Sequence, residues 1–99
     1  MEEIAPFLEW LKTYAASISE VKKVYLFGSF ARGDFGPTSD IDLAFEYIPS
    51  KSAFWSKFAE DLKRHAKTIR GLDVVNLAEV GKDFSSEILR EGVIIFERK

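Results

Sequence analysis

Four short apolar runs are separated by segments of helical period, and this alternation restricts the fold more than any other feature. The runs are Val24-Tyr25-Leu26-Phe27, Asp40 to Tyr47, Leu72 to Leu77 and Val93-Ile94-Ile95-Phe96. Runs of this length, rich in β-branched and aromatic residues, read as strands. Ahead of the first, Ile4, Phe7, Leu8, Leu11, Ala15 and Ile18 recur at helical spacing, which predicts an amphipathic helix over 3–18. Ser29 is placed to cap a short helix through Phe30, Ala31 and Arg32, and residues 33–39 read as a loop. Phe54, Phe58, Leu62 and Ile69 mark one face of a further helix that Gly71 stops; His65 falls on the same face. A last helix is expected over 83–91, with Gly92 as its C′ residue. The order αβαβαβαβ predicts an α/β (α+β) architecture, a small mixed β-sheet of about four strands flanked by helices. A chain of 99 residues suits one domain, 1–99.

Composition removes several functional classes. An apolar content of 46% argues against disorder. No apolar run approaches the roughly 18 residues a membrane span needs. The start Met1-Glu2-Glu3-Ile4 is acidic, unlike a secretory signal. The absence of cysteine excludes disulfides, thiolate zinc sites and cysteine nucleophiles together. A cytoplasmic protein is expected. The net charge of −2 weighs against direct binding to a nucleic-acid backbone. It leaves room for a small nucleotide, whose triphosphate charge metal ions can neutralise.

Three features carry chemistry. Gly28-Ser29 stands where a strand ends and a helix begins, a place where free N–H groups cradle phosphate and glycine admits close approach. An ordinary turn and cap would read the same way. Asp40 and Asp42 lie two apart in a strand and so share a face with Ala44, opposite Ile41, Leu43 and Phe45. Carboxylates this close repel and raise each other's pKa unless a cation sits between them. Hard oxygen donors of this kind suit Mg²⁺ or Mn²⁺ that also grips substrate phosphates; a solvated strand end is the plainer alternative. Asp73 interrupts an apolar strand, where a charge needs either a partner or an edge position that reaches water. If the first two strands run antiparallel and the third runs parallel to the second, all three features meet at one end of the sheet. Three carboxylates there can hold two cations about 3.5–4 Å apart for in-line phosphoryl transfer.

The string Gly28-Ser29-Phe30-Ala31-Arg32-Gly33, followed by Ser39-Asp40-Ile41-Asp42-Leu43, resembles the signature of the minimal nucleotidyltransferases of the DNA polymerase beta superfamily. The Gly-Ser and Asp-x-Asp parts at this fixed spacing would arise by chance in only about one chain of this length in several hundred to a thousand. Glu91-Gly92-Val93-Ile94-Ile95-Phe96-Glu97 resembles the family's last strand. The resemblance implies that Asp40, Asp42 and Asp73 are catalytic and hold the metal ions, and that Gly28, Ser29 and Arg32 bind the nucleotide. It implies transfer of a nucleoside monophosphate, AMP from ATP above all, to a hydroxyl, with Mg²⁺ as cofactor. Arg32 could equally form a surface ion pair. Larger relatives carry a second domain for the acceptor, whereas this sequence stops after its fourth strand, so another protein is expected to present the acceptor. In the minimal family that partner is a helical HEPN-type toxin, which makes this chain its antitoxin and a tyrosine of the toxin the acceptor. The alternatives are an antitoxin that neutralises its partner by contact alone, and a transferase acting on RNA or a small molecule.

The remaining features read as structural. Lys57, Lys63, Arg64, Lys67 and Arg70 make one segment basic, but Glu60 and Asp61 dilute it toward a solvated face. Nine phenylalanines and two tryptophans should mostly be core, leaving Trp10, Phe30 and Phe35 as candidates for a partner surface.

Overall fold

A computed structural model describes residues 2–99. After a 3₁₀ turn at Glu2–Ile4, helix α1 spans Ala5–Ala16 and is followed by strand β1, Val21–Phe27. The short helix α2, Gly28–Arg32, leads through a loop to β2, Ile41–Tyr47. A 3₁₀ segment, Pro49–Phe54, precedes α3, Trp55–His65; then come β3, Leu72–Asn76, α4, Lys82–Glu91, and β4, Val93–Glu97. The four strands form one sheet in the order β3-β2-β1-β4. β1 runs antiparallel to β2 and to β4, while β2 and β3 are parallel, so the sheet is mixed as the strand pattern anticipates.

The main core lies on one face of the sheet. Ile4, Phe7, Leu8, Leu11 and Ala15 recur at helical spacing and are all buried, with Leu11 and Ala15 inaccessible to solvent. They meet Val24, Leu26, Ile41, Leu43 and Phe45, the inward residues of β1 and β2, and Leu62 of α3. Each fully buried aliphatic or aromatic side chain contributes about 1.5–3 kcal/mol through burial. The opposite face is covered less. There Tyr25, Ala44 and Ile88 form a second cluster with Phe27, Val75 and Leu77, so α4 shields only part of it. Asp42 and Asp73 belong to this second face, because strand alternation puts them in line with Ala44 and with Val75 and Leu77.

Several local expectations need correction. α3 ends at His65, not at Gly71. Residues 66–71 leave the helix, so Ile69 stands fully in solvent and does not continue the apolar stripe. His65 is exposed too, with Nδ1 2.8 Å from the Asp61 carbonyl oxygen. Gly92 follows α4 in extended backbone (φ −71°, ψ 152°), because β4 begins at the next residue and pairs at once with Leu26. Phe30 is buried beneath Phe35, with ring centroids 4.4 Å apart, and is no free partner surface. Trp10 is half-buried and stacks on Tyr14 at 4.9 Å. The basic segment is a mixed, solvated face only within α3, where Lys57 pairs with Asp61, and Arg64 with Glu60 and Asp61; Lys67 and Arg70 lie past the helix, and Arg70 is mostly buried. No described helix is long and apolar enough to cross a membrane.

Candidate active site

Sheet pairing brings the sequence motifs to one end of the second face. Antiparallel pairing sets Phe27, the last residue of β1, opposite Asp42. Gly28 follows with φ +73°, a left-handed conformation that side chains other than glycine's rarely adopt. A Cβ on Gly28 would also overlap the Asp42 carboxylate, so this bare Cα lets Asp42 lie directly against the strand-to-helix turn. Parallel pairing then sets Asp42 opposite Asp73, and the two side chains come within hydrogen-bonding reach. Burial first, then the hydrogen bond and charge of Asp73 and the charge of Asp40, push the Asp42 carboxyl up to about 6 against the pull of Arg32.

Asp73 is exposed, on the edge strand of the sheet. Of the two sequence readings, the edge position that reaches water is the one met; the neighbouring Asp42 is a second carboxylate and offers no opposite charge. Asp40 stands apart from this pair. Its Oδ1 lies 2.5 Å from the position a Cβ on Gly71 would take, so it rests over the turn that enters β3. Among the described residues, no three His, Cys, Asp or Glu side chains converge as a metal-binding group. The expected three-way convergence is thus reduced to an Asp42–Asp73 pair with Asp40 beside it. Two carboxylates facing across adjacent strands, one of them with a raised pKa, still form a donor set suited to a hard divalent ion.

The loop before β2 is pinned from the far side of the motif. The Arg70 guanidinium donates to the carbonyl oxygens of Ser39 (2.8 Å) and Gly36 (3.3 Å) and lies over the Phe30 ring at 4.9 Å. The Gly36 N–H donates to Ser39 Oγ at 2.7 Å, and the Ile41 N–H to the Gly71 carbonyl at 2.9 Å. These contacts hold the entry to Asp40 and Asp42 in register with β3. Neither Arg70 nor Gly71 was marked as part of the site by the sequence pattern, since their partners lie about thirty residues away.

Phe27, Gly28, Ser29, Arg32 and Asp42 line one side of a cleft of about 300 Å³; Phe84, Glu87, Ile88 and Glu91 of α4 line the other. Ser29 does not cap α2. The helix starts at Gly28, Phe27 occupies the cap position, and no side-chain cap bond forms. Ser29 is instead in the first turn and faces the cleft. Arg32 sits in the same wall and pairs with Asp34 at 3.2 Å; this contact raises its pKa, and the charges of Glu91 and Asp42 add to the effect. The contribution of α4 is absent from the sequence motif, although Phe84, Glu87, Ile88 and Glu91 share one helical stripe. A larger hollow, about 670 Å³, lies at the other end of the sheet among Tyr47, Pro49, Leu77 and Leu89. It contains none of the three carboxylates, whereas the smaller cleft is lined by Asp42, with Asp40 and Asp73 outside its lining.

Comparison with known proteins bears on the fold and the family. The family model "Polymerase beta, Nucleotidyltransferase" matches residues 9–99. A putative nucleotidyltransferase from Sulfolobus solfataricus is 25% identical, with a TM-score of 0.60 over 98% of this chain and 86% of that one. A toxin–antitoxin structure with AMP-PNP is 23% identical, with a TM-score of 0.63 over 92% of this chain and 73% of that one. The toxin–antitoxin MntA-HepT is 21% identical, with a TM-score of 0.54 over 91% and 68% of the two chains. The latter two likenesses are of fold. No curated protein matches the chain. With the family model covering β1 to β4 and both parts of the Gly-Ser and Asp-x-Asp signature, the chain belongs to the polymerase beta nucleotidyltransferase family.

Proposed function

We propose that this protein is a Mg²⁺-dependent enzyme that transfers AMP from ATP to a tyrosine hydroxyl of a HEPN-type toxin, and so acts as that toxin's antitoxin in the cytoplasm. The observation that carries the chemistry is the Asp42–Asp73 pair, whose Asp42 lies against Gly28 in the wall of the cleft. Gly28 and Ser29 hold the triphosphate, with Arg32 released from Asp34 to meet it. Asp40, Asp42 and Asp73 are the residues that would hold two Mg²⁺ ions, with Mn²⁺ able to replace them. Bound there, the metal neutralises charge on the triphosphate and on the pyrophosphate leaving group. Asp73, on the open edge strand, stands where an acceptor hydroxyl can approach, and it orients that hydroxyl and draws its proton. The acceptor oxygen then bonds to the α-phosphorus as the bond to the β-phosphate oxygen breaks. One domain over residues 1–99 supplies the nucleotide side of the reaction, and the partner supplies the acceptor. The likeness to structures described as toxin–antitoxin, one with AMP-PNP, supports this choice of partner and nucleotide.

The test is intact-mass spectrometry of the candidate toxin after incubation with this protein, Mg²⁺ and each nucleoside triphosphate in turn. A mass gain of one AMP with ATP alone, absent with Asp40→Asn/Asp42→Asn, is expected. No gain on a toxin that binds well would remove the transferase reading. A second reading, neutralisation by contact alone, draws on the apolar residues left in solvent, Phe54, Ile69, Leu89 and Ile94. It requires the same double variant to neutralise the toxin at equal dose.

A further inference from the structure

We infer that α4 is the nucleoside-binding wall of the cleft, with the base stacked on Phe84 and the ribose hydroxyls donating to the Glu87 carboxylate. The inference rests on the nucleotidyltransferase reading above and adds what that motif leaves open, namely what holds the base and sugar. Phe84 is 42% exposed, an open aromatic surface in the wall of a cleft whose opposite side carries Ser29, Arg32 and Asp42. Its ring meets Phe27 edge-on, with centroids 5.8 Å apart at 79°, so its position is set by β1 while much of its surface stays free. An aromatic ring fixed in this way suits a planar base, because stacking needs a preset platform and covers apolar surface that water otherwise wets.

Charge sets the direction in which the ligand lies. Glu87 and Glu91 face the cleft from α4, whereas Arg32, Asp42 and the turn at Gly28-Ser29 face it from the other side. The two glutamates repel phosphate with nothing beside them on α4 to offset it, whereas on the other side Arg32 and a divalent ion on Asp42 would attract it, which leaves the α4 side for the uncharged half of the nucleotide. Glu91 acts on Arg32. Glu87 lies one turn from Phe84 on the same helix face, so the two side chains are neighbours in the cleft wall. Carboxylates accept readily from ribose hydroxyls, as other nucleotide-binding folds do with an acidic residue.

The inference is tested by titration calorimetry of the full chain with Mg²⁺, using a non-hydrolysable ATP analogue, its 2′,3′-dideoxy form and inorganic triphosphate as probes. Phe84→Ala should bind the ATP analogue about tenfold more weakly and triphosphate as before, since stacking is lost and the phosphate contacts remain. Phe84→Trp should restore analogue binding. Glu87→Gln should weaken the ribose-bearing analogue and leave the dideoxy form unchanged. Equal loss on analogue and triphosphate, or no loss on either, would overturn the role of Phe84. Equal loss on both sugar forms would overturn that of Glu87. If the wild-type chain binds neither nucleotide nor triphosphate, the nucleotidyltransferase reading itself fails. If it binds both and Phe84→Ala is indifferent, only the present inference fails.

Discussion

Asp42 and Asp73 face each other at the same level of two adjacent parallel strands, and the Asp42 carboxyl is pushed up to about 6 by its burial and by this neighbour. A raised carboxylate pKa means that the folded chain binds a proton more readily than the unfolded chain does. The associated stability is fully present below the ordinary value of 3.8 and is lost as pH rises through about 6. Without metal, the fold should therefore carry a penalty at neutral pH. Asp42 is only partly buried, so screening reduces this to the order of 1 kcal/mol. Asp42→Asn should raise the melting temperature by a few degrees at pH 7.5 in chelator and give little gain at pH 4. A gain that is the same at both pH values would show that charge is not its source.

Divalent metal should act on the same penalty from the other direction. Adding Mg²⁺ to the wild-type chain at pH 7.5 should raise its melting temperature, because a ligand that binds only the folded state stabilises it by mass action. Asp42→Asn and Asp73→Asn should each abolish most of the rise. Asp40→Asn should reduce it less, since Asp40 rests over Gly71, away from the pair. Thermal melts across a Mg²⁺ series distinguish these outcomes, and an unchanged rise in Asp42→Asn would remove Asp42 from the metal site.

Two glycines with positive φ separate backbone strain from steric contact. At Gly33, φ is +87° and a Cβ would meet nothing within 4 Å, so Gly33→Ala should cost only the left-handed strain, about 1–2 kcal/mol. Gly28→Ala adds an overlap with the Asp42 carboxylate and should cost more than about 2 kcal/mol, with transfer activity abolished. Urea unfolding of the two variants gives the comparison. Equal losses would mean that Asp42 moves aside without cost.

Arg70 ties the loop at Gly36 and Ser39 to the entrance of β3, and only 18% of its side chain is exposed. Arg70→Met removes the guanidinium from over Phe30 together with its donors; the Ser39 carbonyl loses this partner, while the Gly36 carbonyl keeps the Ser39 N–H. A loss of about 1–3 kcal/mol is expected in urea unfolding. Because the same contacts align the loop before Asp40, transfer activity should fall further than stability explains, under conditions where the variant remains fully folded. Normal activity in the folded variant would limit Arg70 to a structural role.

The strands, α1 and α4 were legible in the sequence because each rests on local periodicity, and periodicity survives in a linear reading. The Gly-Ser and Asp-x-Asp motif was legible because its spacing is local too. The end of α3 was not. Phe54 and Ile69 extend the apolar period on paper, but one lies in a 3₁₀ segment and the other in a solvent-exposed turn. Ser29 likewise has the chemistry of a cap without the place of one, since the helix begins at Gly28, two residues before Phe30.

What the sequence determined by itself was the inventory: a strand-to-helix turn at Gly28, aspartates at and just before the start of one strand, and a third aspartate in an apolar strand. What only the tertiary structure decided was who meets whom. The parallel pairing of β2 with β3 puts Asp73 against Asp42, and the turn at Gly71 receives Asp40. The second face of the sheet brings Phe84, Glu87 and Glu91 across from the motif, and Arg70 closes the loop from thirty residues away. The reason is physical: side-chain alternation is written into each strand, but strand register and helix placement are set by burial summed over the whole chain.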